Sequence, residues 1–179
     1  MRTSAIIKIA DSVSALYETS DPISLCKEAG VILLYFPMGY AKVACKGFII
    51  KQSGNVAITI SSDIKPHIQR IVMYHELAHY FLHIRTGIAE TMQDFSVGSP
   101  ASEMEYEADM LAAELSLKDS EVLDALQECG SFFEAAAALH TIPEMLDFKL
   151  RVMRERGLQI PDAPISSSGG FLKKVSGND

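Results

Sequence analysis

The chain has no tryptophan and only three cysteines, Cys26, Cys45 and Cys129. They are far apart and no CxxC occurs, which argues against an all-cysteine zinc site or a disulfide framework. Reduced thiols in a cytoplasmic protein fit that usage better. Long hydrophobic runs are missing too, since none approaches the roughly 20 apolar residues needed to span a bilayer. The opening MRTSAIIKIADS has an apolar core too short for a secretory signal. Basic residues are in deficit: 16 Lys and Arg stand against 23 Asp and Glu, for a net charge of −7. Phosphate backbones repel such a chain unless it gathers a basic patch, so no direct nucleic-acid partner is expected.

What is present suits one globular domain, because 179 residues that are 48% hydrophobic can bury a sizeable core. Residues 4–18 carry a helical apolar stripe of Ile6, Ile9, Val13, Leu16 and Tyr17. Asp21-Pro22 opens a short second helix, capped by Asp21 or Ser20 and stopped at Gly30. Three extended pieces follow, VILLYF (31–36), VACKGFII (43–50) and VAITIS (56–61), separated by turn residues. They predict a three-stranded antiparallel sheet. Beyond residue 62 the pattern becomes helical. Ser62 or Asp63 can cap a helix with Pro66 in its first turn, running to about Ile84. Residues 86–98 predict a loop, and further helices are expected over 101–116, 119–128, 131–140 and 143–157. The domain is therefore placed at 1–160, with a sheet-containing part to about 62 and a helical part after it. The Pro-, Ser- and Gly-rich tail, 161–179, predicts disorder, with FLKKV (171–175) as the one stretch able to dock.

Residues 73–83 read MYHELAHYFLH, three histidines and a glutamate in an otherwise apolar setting. On a helix, residues four apart lie about 40° apart around the axis and about 6 Å along it. His75 and His79 can therefore reach one zinc ion, and Glu76 stands beside them as a general base, the HExxH arrangement. His83 is one step further, about 12 Å along the axis from His75, and is expected to pack against or support the ligands. A third ligand must come from elsewhere. The segment ASEMEYEADMLAAELS (101–116) offers Glu105 and Glu107 on opposite sides of an apolar stripe, and the helical wheel does not choose between them.

HELAHYFLH followed by EYEADMLAAEL resembles the ImmA/IrrE-type metallopeptidase domain, and so does the approach GFIIKQSGNVAITIS with IQRIVMYHELAH. The resemblance spans roughly residues 25–155. It departs at Leu111, where Phe is usual, and at LSLK (115–118), where the family has a Leu-Leu-Met-Pro-like ending. It implies an α+β fold, with the small sheet packed against a zincin-like helical bundle and the HExxH helix in the core. Carried over by position, the ligands would be His75, His79 and Glu107, with Glu76 as base and Asp109 as a residue that orients a ligand. It further implies one Zn2+ per chain and a bacterial, phage or mobile-element protease that cuts a helix-turn-helix repressor.

Tyr74, Tyr80, Tyr106, His67 and His140 are candidates to stabilise the oxyanion, and substrate could add as a strand to VAITIS. Two other readings compete. One keeps the zinc fold as a regulator-binding module without catalysis. The other reads 133–150, FEAAAALHTIPEMLDFKL, as a DNA-binding helix-turn-helix, against which the acidic lead of its second helix argues. Nothing in the sequence sets an oligomeric state.

Overall fold

The structure is a computed structural model and describes residues 1–39, 45–89, 91–92 and 100–169. Helix α1 (Thr3–Leu16) buries Ile6, Ala10 and Val13 along one side. Helix α2 (Pro22–Glu28) starts where Asp21 accepts a hydrogen bond from the Ser24 N–H at 3.0 Å. Gly30, at φ 71°, then turns the chain into strand β1 (Val31–Phe36). Strands β2 (Gly47–Gln52) and β3 (Asn55–Ser61) form a hairpin whose two-residue loop is Ser53-Gly54. Both loop residues have positive φ, 50° and 83°, as the right-handed twist of a tight hairpin requires. A two-residue strand, β4 (Thr91–Met92), pairs with Ile49 and Ile50 of β2 inside the stretch predicted as loop.

The α+β class holds, but the sheet is mixed rather than antiparallel. Its order is β1-β3-β2-β4, and β1 runs parallel to β3 from Val31↔Val56 to Phe36↔Ser61. The chain does not fold β1 back on β2; β3 inserts between them. Burial explains the choice: Ile58 and Ile60 are fully covered and Thr59 nearly so, so β3 is enclosed on both faces. β1, the more apolar segment in sequence, is the edge strand and exposes Ile32, Leu34 and Phe36. With both edges of β3 hydrogen-bonded, a substrate strand cannot add to VAITIS.

Helix α3 (Pro66–His79) packs on β2 and β3 and along α4 (Pro100–Ser116). Its N-cap is Lys65 and has no side-chain cap, whereas Asp63, expected to cap it, accepts instead from the Gly39 N–H at 2.7 Å. From Ile71 to His79 every residue is buried. The helix predicted to continue to Ile84 does so as a π-helical turn, Tyr80–Ile84, closed by the Arg85 N–H on the Tyr80 carbonyl at 2.9 Å. A second, smaller core gathers α5 (Asp119–Glu128), α6 (Phe132–Ala138) and α7 (Pro143–Glu155) around Val122, Ala135, Leu146 and Leu150. Residues 145–150 of α7 are all buried, so the segment considered as a groove-entering helix is a packing element.

The first part of the expected disordered tail is tied to α7. The Ser167 N–H donates to Asp147 Oδ2 at 2.7 Å, and Arg151 Nη2 donates to the Ser167 carbonyl at 2.8 Å. FLKKV lies outside the described residues. Among the described residues, no helix is long and apolar enough to cross a membrane.

Candidate metal centre

α3 and α4 lie side by side, and each turns polar groups into their shared interface. His75 and His79, one helical turn apart, bring their Nε2 atoms to 3.0 Å from each other. Glu105 of α4 completes the triangle. Its Oε2 is 3.4 Å from His75 Nε2 and its Oε1 is 3.3 Å from His79 Nε2. Ligands bonded at about 2.0–2.1 Å to a tetrahedral zinc ion stand about 3.3 Å apart. Three donors, two nitrogens and one oxygen, therefore already sit at the mutual spacing a single small cation imposes. Two imidazoles and a carboxylate also make a donor set that suits zinc. Among the described residues Glu105 Oε2, sealed from solvent, makes no hydrogen bond beyond its 3.4 Å ion-pair contact with His75 Nε2, a thinly satisfied state that a cation would improve. The residues present fit the metal.

Glu107, the carboxylate carried over from the resemblance, does not face this point. Successive helical residues are about 100° apart, so Glu105 and Glu107 diverge by about 200° and do not both meet the His75–His79 turn. Glu107 instead pairs through Oε1 with the amino group of Met1, and its Oε2 lies 3.2 Å from His83 Nε2. Asp109, four residues after Glu105 and so on the same face, places Oδ1 2.8 Å from His75 Nδ1. That Glu105–Asp109 spacing is the signal that could have selected Glu105 from sequence. If Asp109 orients a ligand on α3, the residue one turn before it shares its direction and Glu107 does not.

The electrostatics are those of a site built around a cation. Burial opposes the charge on Glu105, yet His75 and His79 hold its carboxyl well below the usual carboxylate range. Burial likewise opposes charge on His75, but Asp109 and Glu105 outweigh it and hold the imidazolium well above the usual histidine range. For His79, burial and then the charge of His75 win, and the ring is pushed down to about 4. A divalent ion taken up here would have to displace the proton that these neighbours favour on His75.

Glu76, which follows the ligand candidate His75 in α3, is buried, 4% exposed. Gly47, the first residue of β2, closes over it: a methyl group there would lie 3.3 Å from Glu76 Oε1 and 2.5 Å from Val72 Cγ1. Glycine is what lets the sheet approach the motif helix this closely. Of the other candidates, Tyr74 donates its hydroxyl to the Ser20 carbonyl at 2.8 Å and Tyr80 to the Ala29 carbonyl at 3.3 Å, both engaged in packing α3 and its π turn to the segment around α2. His67 and His140 line a separate groove with Arg70 and Thr141.

Comparison with known proteins agrees in extent with the elements that build this site. Residues 26–151, from α2 through most of α7, match the family model of the IrrE N-terminal-like domain, a peptidase family. Over 160 residues, 88% of this chain and 91% of the relative, the chain is 27% identical to metallopeptidase ImmA of Bacillus subtilis (strain 168).

Proposed function

The chain belongs to the IrrE N-terminal-like family of metallopeptidases, and on that premise we propose that it is a zinc-dependent endopeptidase that cuts a helix-turn-helix transcriptional repressor in the cytoplasm. The observation that carries the chemistry is the triangle of His75, His79 and Glu105, with donors 3.0–3.4 Å apart and Glu76, which follows His75 in α3, buried. Zinc held by these three residues supplies the positive charge that acidifies a water and stabilises negative charge developing on a peptide carbonyl.

The protein's own residues do the rest. The Glu76 carboxylate takes a proton from the attacking water and returns it to the departing amine. Asp109 fixes the ring of His75 through Nδ1, so that Nε2 points into the triangle. Burial of all four groups excludes bulk water, which would otherwise weaken each electrostatic contact. A regulator encoded separately from this chain, in a phage or mobile-element setting, is the substrate that the family resemblance favours.

Glu76→Gln tests catalysis directly. Cleavage of candidate repressors should fall by about 100- to 10,000-fold while zinc content, measured by atomic absorption, stays at that of the wild type. Equal biological output from the two proteins would instead make this a binding module.

A further inference from the structure

The two ring nitrogens on the far side of the metal triangle are supported differently. His75 Nδ1 meets the Asp109 carboxylate directly, at 2.8 Å. Among the described residues His79 Nδ1 meets no carboxylate; it lies 3.0 Å from His83 Nδ1, and His83 Nε2 lies 3.2 Å from Glu107 Oε2. All three of these residues are buried, His79 and His83 at 1% exposure and Glu107 at 9%. The line His79–His83–Glu107 runs without solvent from the metal triangle to a carboxylate on α4.

We propose that His83 and Glu107 are positioning residues that orient the metal ligand His79 through a two-step hydrogen-bond relay, the counterpart of the single step from Asp109 to His75. The inference rests on the proposed metal centre and adds to it the support of its second histidine. Ring chemistry sets the direction of the relay. A ligand imidazole that gives Nε2 to a cation keeps its hydrogen on Nδ1. His79 Nδ1–H then donates to His83 Nδ1, which leaves the His83 hydrogen on Nε2, facing Glu107 Oε2. Each group has one complementary role, and the chain ends on an anion. Moving the His83 hydrogen to Nδ1 would set donor against donor at His79 and lone pair against carboxylate at Glu107.

The backbone supplies the reach. In an uninterrupted α-helix, His83 would simply stack one turn beyond His79. The π-helical turn over Tyr80–Ile84 widens the helix at His83, with its closing bond from Arg85 to Tyr80. Such a widened turn inside a helix is a common mark of a functional position. Sequence shows only a third histidine at the same spacing, and does not show that its partner would be the other glutamate of the EYE triplet.

Zinc affinity measured by competition with a chromophoric chelator tests the relay, because it needs no substrate. His83→Leu and Glu107→Gln should each weaken zinc binding by about 10- to 100-fold, the usual effect of losing a group that supports a ligand histidine. The visible bands of the Co2+-loaded protein should shift in both. His83→Gln can accept from His79 and donate to Glu107 at nearly the ring's own spacing, so it should recover most of the affinity and the wild-type spectrum. A packing role predicts no such rescue by a polar chain. Glu107→Gln is nearly isosteric and covers the case in which His83→Leu fails to fold. If both variants bind zinc like wild type while Glu105→Gln does not, the relay is wrong and the metal centre stands. If the wild type itself binds no zinc, both readings fall.

Discussion

Helix α4 leans on two charged clusters, one near each end, and they are built on opposite plans. At its C-terminal end Glu114 meets cations of the protein's own. Lys149 Nζ lies 2.6 Å from Glu114 Oε2 and 2.5 Å from Asp119 Oδ1, and Arg156 Nη2 lies 2.7 Å from both Glu114 Oε1 and Asp11 Oδ1. Helices α1, α4, α5 and α7 are joined there by ion pairs that satisfy one another. Nearer its N-terminal end, Glu105 has imidazoles as its ionic partners rather than lysine or arginine, and those rings aim the same atoms at one point. A cluster that carries its own permanent charge is complete once folded. One that opposes a carboxylate with titratable rings completes itself with a proton or with a metal.

The comparison breaks first at Lys149. Its side chain is 2% exposed, so Lys149→Met removes the charge but keeps the packing and leaves Glu114 facing Arg156 alone. Loss of one partner from a buried pair typically costs about 3–5 kcal/mol, and the low end is expected because Arg156 remains and Asp119 is partly exposed. Urea unfolding should show that loss, while zinc affinity stays within about twofold of wild type, since the two clusters share no residue. A fall in zinc affinity as large as the fall in stability would mean that the two ends of α4 are one unit.

Glu105 carries the next largest effect. A ligand bound only by the folded state adds about 2.7 kcal/mol of stability at 100 times its dissociation constant. Zinc at that excess should stabilise the wild type and the Lys149 variant by the same increment, read as the shift in urea midpoint with and without chelator. Glu105→Gln should abolish most of the increment. An equal zinc effect in Glu105→Gln would remove this carboxylate from the site.

These two clusters also show what could be read from sequence. The four-residue spacing of His75 and His79 is legible because helical geometry alone brings such rings together. Helices α1 and α2 and the hairpin turn at Ser53-Gly54 follow equally local rules, and the structure has them where expected. The choice of Glu105 over Glu107 was ambiguous because both flank the apolar stripe of α4. Which flank faces α3 is decided by how two helices dock, a property of neither alone. Sheet order was hidden for a related reason. VILLYF looks like the central strand by hydrophobicity, yet the less apolar VAITIS takes the centre, since the tight hairpin holds it beside β2 and its other edge is the one β1 meets. The π-helical turn at Tyr80–Ile84 has no composition of its own, so nothing in YFLHI announces it.

The smallest effect belongs to an ion pair that is not buried and shares no residue with either cluster, and it fixes the scale for the other two. Asp21 caps α2 and lies 2.9 Å from Arg70 Nη1 of α3, with side chains 41% and 49% exposed. Its slight burial works against the charge, but the Ser24 N–H, the Arg70 guanidinium and the Ser24 hydroxyl together hold its carboxyl below the usual aspartate value. The sign follows from that direction. An acid whose folded pKa is depressed adds stability above its unfolded pKa, and the contribution drains away as pH falls through the folded value. Asp21→Asn retains an oxygen to cap α2 and removes only the charge. At neutral pH it should cost under about 1 kcal/mol, since water and salt screen an exposed pair. Below about pH 3, where an ordinary aspartate of pKa ~3.9 is already mostly protonated, the gap between wild type and variant should be closing, and added salt at pH 7 should narrow it too. If the gap instead persists unchanged through the acid range, the capping geometry rather than the charge is what Asp21 contributes. Exposed pairing would then be worth even less against the 3 kcal/mol scale expected at Lys149.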